Sequence, residues 1–158
     1  MKKNFFSALL LCAVVFLSSC GGDSAVRVND VIVAKADKVT DLMRKVVNHI
    51  GNDDYDKATL YLDSVSIYIK ESEPIITGLN NKSAEELKKI TLEYIALFND
   101  GVTDCKEAIQ IYQSADDNEQ LRKATALINN FIDKADKKLE EARKAQVDFA
   151  KANNISLR

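Results

Sequence analysis

The chain has 158 residues, of which 46% are hydrophobic and 29% are charged, as in one globular domain with a substantial core. Lys and Arg number 22 against 24 Asp and Glu, and the net charge of −2 lacks the basic surface that nucleic-acid binding needs. One His and three Cys leave little room for a His/Cys metal centre, a haem motif or a disulfide framework.

The first segment of the chain has the layout of a secretory signal. A short basic start, residues 1–4, precedes an apolar run, residues 5–17, and the small residues Ser18 and Ser19 lead to Cys20. As a helix the apolar run is about 20 Å long, which is short for a bilayer core of about 30 Å. We therefore expect a cleaved signal rather than a permanent transmembrane helix.

The sequence Leu17-Ser18-Ser19-Cys20 resembles the lipobox of bacterial lipoproteins. In that family the signal is cleaved directly before the Cys, whose thiol carries diacylglycerol and whose new amino group is usually acylated, for example with palmitate. The resemblance implies that residues 1–19 are removed and that Cys20 is lipidated, so that its acyl chains hold the protein on a membrane. An ordinary secretion signal with an incidental Cys is the alternative.

The residue after Cys20 indicates the membrane in which the lipid anchor would lie. It is Gly21 rather than Asp, and by the same resemblance this implies the outer membrane of the cell envelope, on its periplasmic side or at the cell surface. Loss of Lys2 and Lys3 with the signal makes the mature chain more acidic, so the acyl chains and not a basic patch would supply membrane binding.

The remaining cysteine has no partner under this reading. Cys12 leaves with the signal and Cys20 is acylated, so Cys105 has no second thiol in its own chain. We expect Cys105 to be a small buried hydrophobe, the alternative being a reactive or intermolecular thiol.

Four segments with apolar residues at helical spacing follow a short tether, which we place at residues 20–28. The first helix is predicted over about residues 29–50, with Gly51 as its stop. The second is predicted over about residues 54–73, where Pro74 either ends or kinks it.

The third helix is predicted to start at the capping-box spacing of Ser83 and Glu86. Its apolar seam alternates steps of 4 and 3 residues without interruption, and this favours a continuous helix over a break at Gly101. Glycine there allows close approach of a neighbouring helix. The seam consists of Leu87, Thr91, Tyr94, Phe98, Gly101, Cys105, Ala108 and Tyr112.

The fourth helix is predicted from the capping-box spacing of Asp116 and Glu119 to about Asn153, with Leu121 first on its inner side. Short loops make successive helices antiparallel neighbours. The predicted fold is all-α, an up-down-up-down four-helix bundle over residues 29–153, followed by a tail at residues 154–158. The longer third and fourth helices are expected to project beyond the first pair.

The sequence offers no recognisable catalytic or cofactor motif. His49 is the only His and lacks the Glu of a Glu-x-x-His di-iron motif, and its place in the last turn of the first helix suits a cation at the helix dipole. The segment 52–56, with three aspartates, lacks the Gly and Glu of a calcium loop, and its acidic residues are better explained as helix capping. A nucleophile elbow and a phosphate-binding glycine loop are also missing. We therefore expect a non-enzymatic protein without cofactor or metal.

One face of the second helix is a candidate partner surface. Leu60 and Ile67 lie about 150° from the buried stripe of their helix at about 100° per residue, and Tyr61 and Tyr68 flank the edge of the core. These four residues predict an apolar, aromatic strip on the outside of the bundle. The alternative is ordinary exposure, partly covered by the longer neighbouring helices.

The end of the chain, residues 146–155, looks like the end of small helical bacterial surface lipoproteins of unassigned function. The resemblance implies an all-α fold and an envelope location.

We expect an anchored adaptor or binding module whose partners are the membrane and an envelope or surface protein. The alternative is a carrier of a small apolar ligand between the helices, and an envelope hydrolase comes third. A filled interior with an exposed strip favours the adaptor, and a roomy apolar cavity at Gly101 favours the carrier.

Overall fold

The computed structural model describes residues 23–157, and within them it contains four α-helices and no strand. The predicted all-α four-helix bundle is confirmed, and a 3-10 turn, Lys82–Ala84, precedes the third helix. The predicted signal and Cys20 lie outside the described residues. The helices are α1 Ala25–Gly51, α2 Tyr55–Thr77, α3 Glu85–Ser114 and α4 Asn118–Ala152.

The core runs along the whole bundle, because every helix contributes one apolar stripe to it. α1 packs on α2, α2 on α3 and α3 on α4, whereas α1 and α4 touch little, so the bundle is open along that side. Each large apolar side chain that is fully buried stabilises the fold by about 1.5–3 kcal/mol. Among the helices of residues 23–157, none has an apolar stretch long enough to cross a bilayer.

The first helix begins earlier than predicted. α1 starts at Ala25, because the Ser24 side chain caps it by accepting a hydrogen bond from the Arg27 amide at 3.3 Å. Val28 is fully buried and belongs to the core. The predicted tether at residues 20–28 is therefore wrong for residues 25–28, which are part of the folded domain.

The second helix continues past its proline. Pro74 lies inside α2, which ends at Thr77 rather than at Glu73. A proline inside a helix costs about 3 kcal/mol. Ile76 and Leu79 are both buried, and their burial offsets this cost by holding the last turn of the helix against the core.

The capping box predicted at Ser83 and Glu86 is wrong. Ser83 lies inside the 3-10 turn, where its amide donates to the Asn81 side chain at 3.0 Å, and α3 starts only at Glu85. The Ser83 hydroxyl instead donates to the side-chain oxygens of Asn81 and Asn153. Its bond to Asn153 ties the start of α3 to the end of α4.

The start of α2 lies level with the last turn of α3. Tyr55, the first residue of α2, stacks on Tyr112 near the end of α3, with ring centroids 6.2 Å apart. Asp117 caps α4, and its side chain accepts a hydrogen bond from the Gln120 amide at 2.8 Å. The cap was predicted one residue earlier, at Asp116. Leu121 is exposed, so its predicted place on the inner side of the fourth helix is wrong.

Candidate functional site

Asp23 is fixed to the loop between α2 and α3. The Asp23 amide donates to the Asn80 carbonyl at 2.8 Å, and the Asn80 amide donates to a carboxylate oxygen of Asp23 at 2.9 Å. The Asn81 side chain donates to the Asp23 carbonyl at 2.9 Å, and Arg27 forms an ion pair with Asp23 at 2.8 Å. We call this arrangement the Asp23 clasp. Sequence reasoning missed it, because nothing local indicates pairing with residues so distant in the chain.

Two of the four predicted strip residues project into solvent. Leu60 is 68% exposed and Ile67 is 58% exposed, and both lie on the outer face of α2. Residues seven apart lie on one face of a helix, about 10 Å from each other. We call this pair the outer strip.

The two tyrosines lie elsewhere, at the seam between α2 and α1. Tyr61 is half-buried and stacks on His49 with ring centroids 5.3 Å apart, and the Lys45 ammonium lies 5.7 Å from its ring centre. Tyr68 is also half-buried, with the Lys35 ammonium 4.9 Å from its ring centre. Both rings therefore lie at the edge of the core, as predicted, in contact with side chains of α1.

His49 lies in the last turn of α1, as predicted, and also joins α1 to the start of α2. Its Nδ1 atom is 3.3 Å from the carboxylate of Asp54, the residue that caps α2. The Lys57 ammonium donates to the same carboxylate at 2.7 Å, and this bond lowers the pKa of Asp54. The Asp54 carboxylate therefore contacts both His49 and Lys57 where α1 ends and α2 begins.

The one cysteine within the described residues is a buried thiol, as predicted. Cys105 is completely inaccessible to solvent. Its burial, and to a smaller degree the neighbouring charge of Asp104, raise the pKa of the thiol to about 12. Because the thiolate is the reactive form, Cys105 is chemically inert in the folded protein.

This buried thiol predicts a loss of stability in alkali. The ordinary thiol pKa is 9.0, so between pH 9 and pH 12 the unfolded chain loses the Cys105 proton while the folded chain keeps it. The free energy of unfolding should fall by about 1.4 kcal/mol for each pH unit in this window. Urea unfolding between pH 8 and pH 10.5 measures the slope, and Cys105→Ala should reduce it. Equal slopes in the two proteins would contradict the assignment.

The interior near Gly101 contains an aromatic ring rather than a cavity. α3 is continuous through Gly101, as predicted, and a Cβ added there would overlap the Phe131 ring. Phe131 packs edge-on against Phe98 at 5.6 Å between centroids, and Phe98 packs edge-on against Tyr94 at 5.1 Å. The position at which a carrier would need space is therefore filled.

Two open grooves lie along the side where α1 and α4 separate. The smaller, about 250 Å³, has an apolar floor of Tyr94, Phe98 and Phe131 and is below the range of about 300–1,000 Å³ that is usual for ligand pockets. The larger, about 870 Å³, lies between the start of α1 and the end of α4, and its lining mixes Val26 and Leu157 with several polar groups. Both grooves are open to solvent.

Within residues 23–157, His, Cys, Asp and Glu side chains form no group of three or more that could hold a metal ion. The chain matches no protein-family model, no curated protein and no solved structure.

Proposed function

We propose that this protein is a non-enzymatic lipoprotein of the cell envelope, anchored in the outer membrane by acyl chains on Cys20. Its helical body acts as a binding or adaptor module that presents the outer strip, Leu60 and Ile67, to an envelope or surface protein. The lipobox resemblance of Leu17-Ser18-Ser19-Cys20 supports the anchor.

The observation that carries the adaptor role is the exposure of two large aliphatic side chains on one helix face. Burying such surface is favourable by about 25 cal/mol per Å². Leu60 and Ile67 make little contribution to the core, so their apolar surface remains available to a partner. The ring at Gly101 fills the place that the alternative, an apolar-ligand carrier, would need.

The anchor is tested by metabolic labelling with a fatty acid and by membrane fractionation. We expect the wild-type protein to take up the label and to sediment with membranes, and Cys20→Ser to do neither. Cys105→Ser is the matched control, since its thiol is buried and should not be acylated. An unlabelled wild-type protein recovered in the soluble fraction would end the lipoprotein proposal.

The outer strip is tested by cross-linking in intact cells followed by mass spectrometry. We expect the double variant Leu60→Asp, Ile67→Asp to lose a specific neighbour that the wild-type protein captures. Leu121→Asp, which changes an exposed leucine on α4, is the control and should keep that neighbour. Thermal unfolding should be the same in all three proteins. Retention of every neighbour by the folded double variant would exclude the strip as the contact surface.

A further inference from the structure

The Asp23 clasp places the anchor point close to one end of the bundle. Only two residues separate Cys20 from Asp23, so three Cα–Cα steps of at most about 11 Å in total join them. Asp23 itself is held by hydrogen bonds to Asn80 and Asn81 in the loop between α2 and α3. A lipid attached at Cys20 therefore lies near this loop.

We propose that the end of the bundle formed by the Asp23 clasp, the 3-10 turn and the C-terminus of α4 docks on the lipid surface. The α3–α4 loop then points away from it. This inference rests on the acylation of Cys20 in the proposed function and adds which surface of the protein meets the lipid.

The distribution of exposed apolar side chains supports a lipid surface as the occupant. Within residues 23–157, seven large hydrophobic side chains are exposed, and four of them belong to this end. They come from the first turn of α1, the last turn of α2, the last turns of α4 and the tail after it. The four residues are Val26, Ile75, Val147 and Leu157.

The chain after α4 folds back and adds to this apolar end. Asn154 has a φ of 55°, the left-handed conformation, and it reverses the chain direction. The Ile155 amide then donates to the Ala150 carbonyl at 2.8 Å, and Ile155 packs against the core. This turn brings Leu157 to the same groove as Val26, so the two exposed side chains lie on one surface.

The charges at this end of the bundle do not explain why it would face the lipid. The exposed bases Lys82 and Lys151 are accompanied there by the exposed acids Glu73 and Asp148. A mixed surface neither attracts nor repels an anionic membrane strongly. The orientation therefore follows from the short connection to Cys20 and from the apolar side chains.

The proposed orientation determines how far the outer strip lies from the lipid surface. Along α2, Ile67 and Leu60 lie about 15 Å and 25 Å from Thr77, the last residue of the helix, at about 1.5 Å per residue. The strip therefore faces sideways above the lipid, where a neighbouring membrane-anchored protein can reach it. The far loop, beyond Asn118, lies about 50 Å from Ala152 along α4.

Lipid-borne quenchers can measure this orientation on the full acylated protein. Cys105 is buried and Cys20 is acylated under the proposal, so an added cysteine is the reactive thiol for a fluorophore. We would label Lys82→Cys at the docking end and Asp116→Cys at the far loop, which are both exposed, in phosphatidylethanolamine–phosphatidylglycerol vesicles. Part of the lipid would carry a nitroxide headgroup.

Since about 50 Å separates the two ends, we expect quenching of the Lys82→Cys label to be about threefold stronger than that of the Asp116→Cys label. Equal quenching, or stronger quenching at Asp116→Cys, would overturn the orientation. Intact mass reports acylation in the same samples, so failure of the lipoprotein proposal is distinguished from failure of the orientation. The Cys20→Ser version of each labelled protein should show only background quenching.

Discussion

Gly101→Ala is expected to lower the free energy of unfolding by about 2–3 kcal/mol. The added methyl group would overlap the Phe131 ring, which packs edge-on against Phe98. The ring would have to shift from its place against α3, and its contacts with Phe98 would weaken. Urea unfolding followed by far-UV circular dichroism, in protein with Cys20→Ser and without residues 1–19, measures the loss.

Gly51→Ala is the matched control for this substitution. A Cβ at Gly51 meets no atom within 4 Å, and the residue is the last of α1. Here alanine should increase the free energy of unfolding by about 0.4–1 kcal/mol, because it restricts the unfolded chain. Adding Phe131→Leu to Gly101→Ala should recover part of the loss. A free energy of unfolding that is unchanged or increased by Gly101→Ala would refute the close approach of the ring.

Phe98→Ala is expected to lower the free energy of unfolding by about 3–5 kcal/mol. The ring is 2% exposed and makes edge contacts with Tyr94 on its own helix and Phe131 on α4. Its removal leaves a cavity next to the small apolar groove and takes one partner from each of the two rings. The same urea unfolding experiment measures the effect.

Leu60→Ala provides the comparison at the outer strip. Because Leu60 is 68% exposed, truncation should change the free energy of unfolding by no more than about 0.5 kcal/mol. A near-zero effect means that Leu60 is not needed for the fold. A loss as large as that of Phe98→Ala would show that Leu60 is structural and would remove the main support for the adaptor role.

The sequence predicted the helices well where the apolar periodicity was long. The seam from Leu87 to Tyr112 predicted a continuous α3 through Asn99-Asp100-Gly101, residues that resemble a turn when taken alone. One glycine costs about 1 kcal/mol in a helix. The buried residues on both sides of Gly101 contribute more than that, so the periodicity was the stronger signal.

The helix ends were predicted less well, because distant contacts determine them. The start of α1 is capped by Ser24, and Asp23 just before it is held by Asn80 in a clasp that no local pattern indicates. The last turn of α2 depends on the burial of Ile76 after Pro74. In both cases tertiary packing outweighs the local preference of the chain.

The candidate surface was likewise predicted correctly only where the prediction depended on one helix alone. The helical angle placed Leu60 and Ile67 on the outside, because that angle depends on α2 alone. Tyr61 and Tyr68 lie at the edge of the same helix, where the rotation of α1 decides what they contact. His49 and Lys35 could be identified as their partners only once α1 and α2 were packed together.

The ring of Phe131 over Gly101 also restricts how the bundle can rearrange. Sliding α4 along α3 would bring the ring against side chains larger than glycine, so the close contact at Gly101 opposes such a movement. α1 and α4, by contrast, share few contacts and are separated by open grooves. A force that pulls the helices apart therefore meets its lowest barrier between α1 and α4, whereas α3 stays in contact with both α1 and α2.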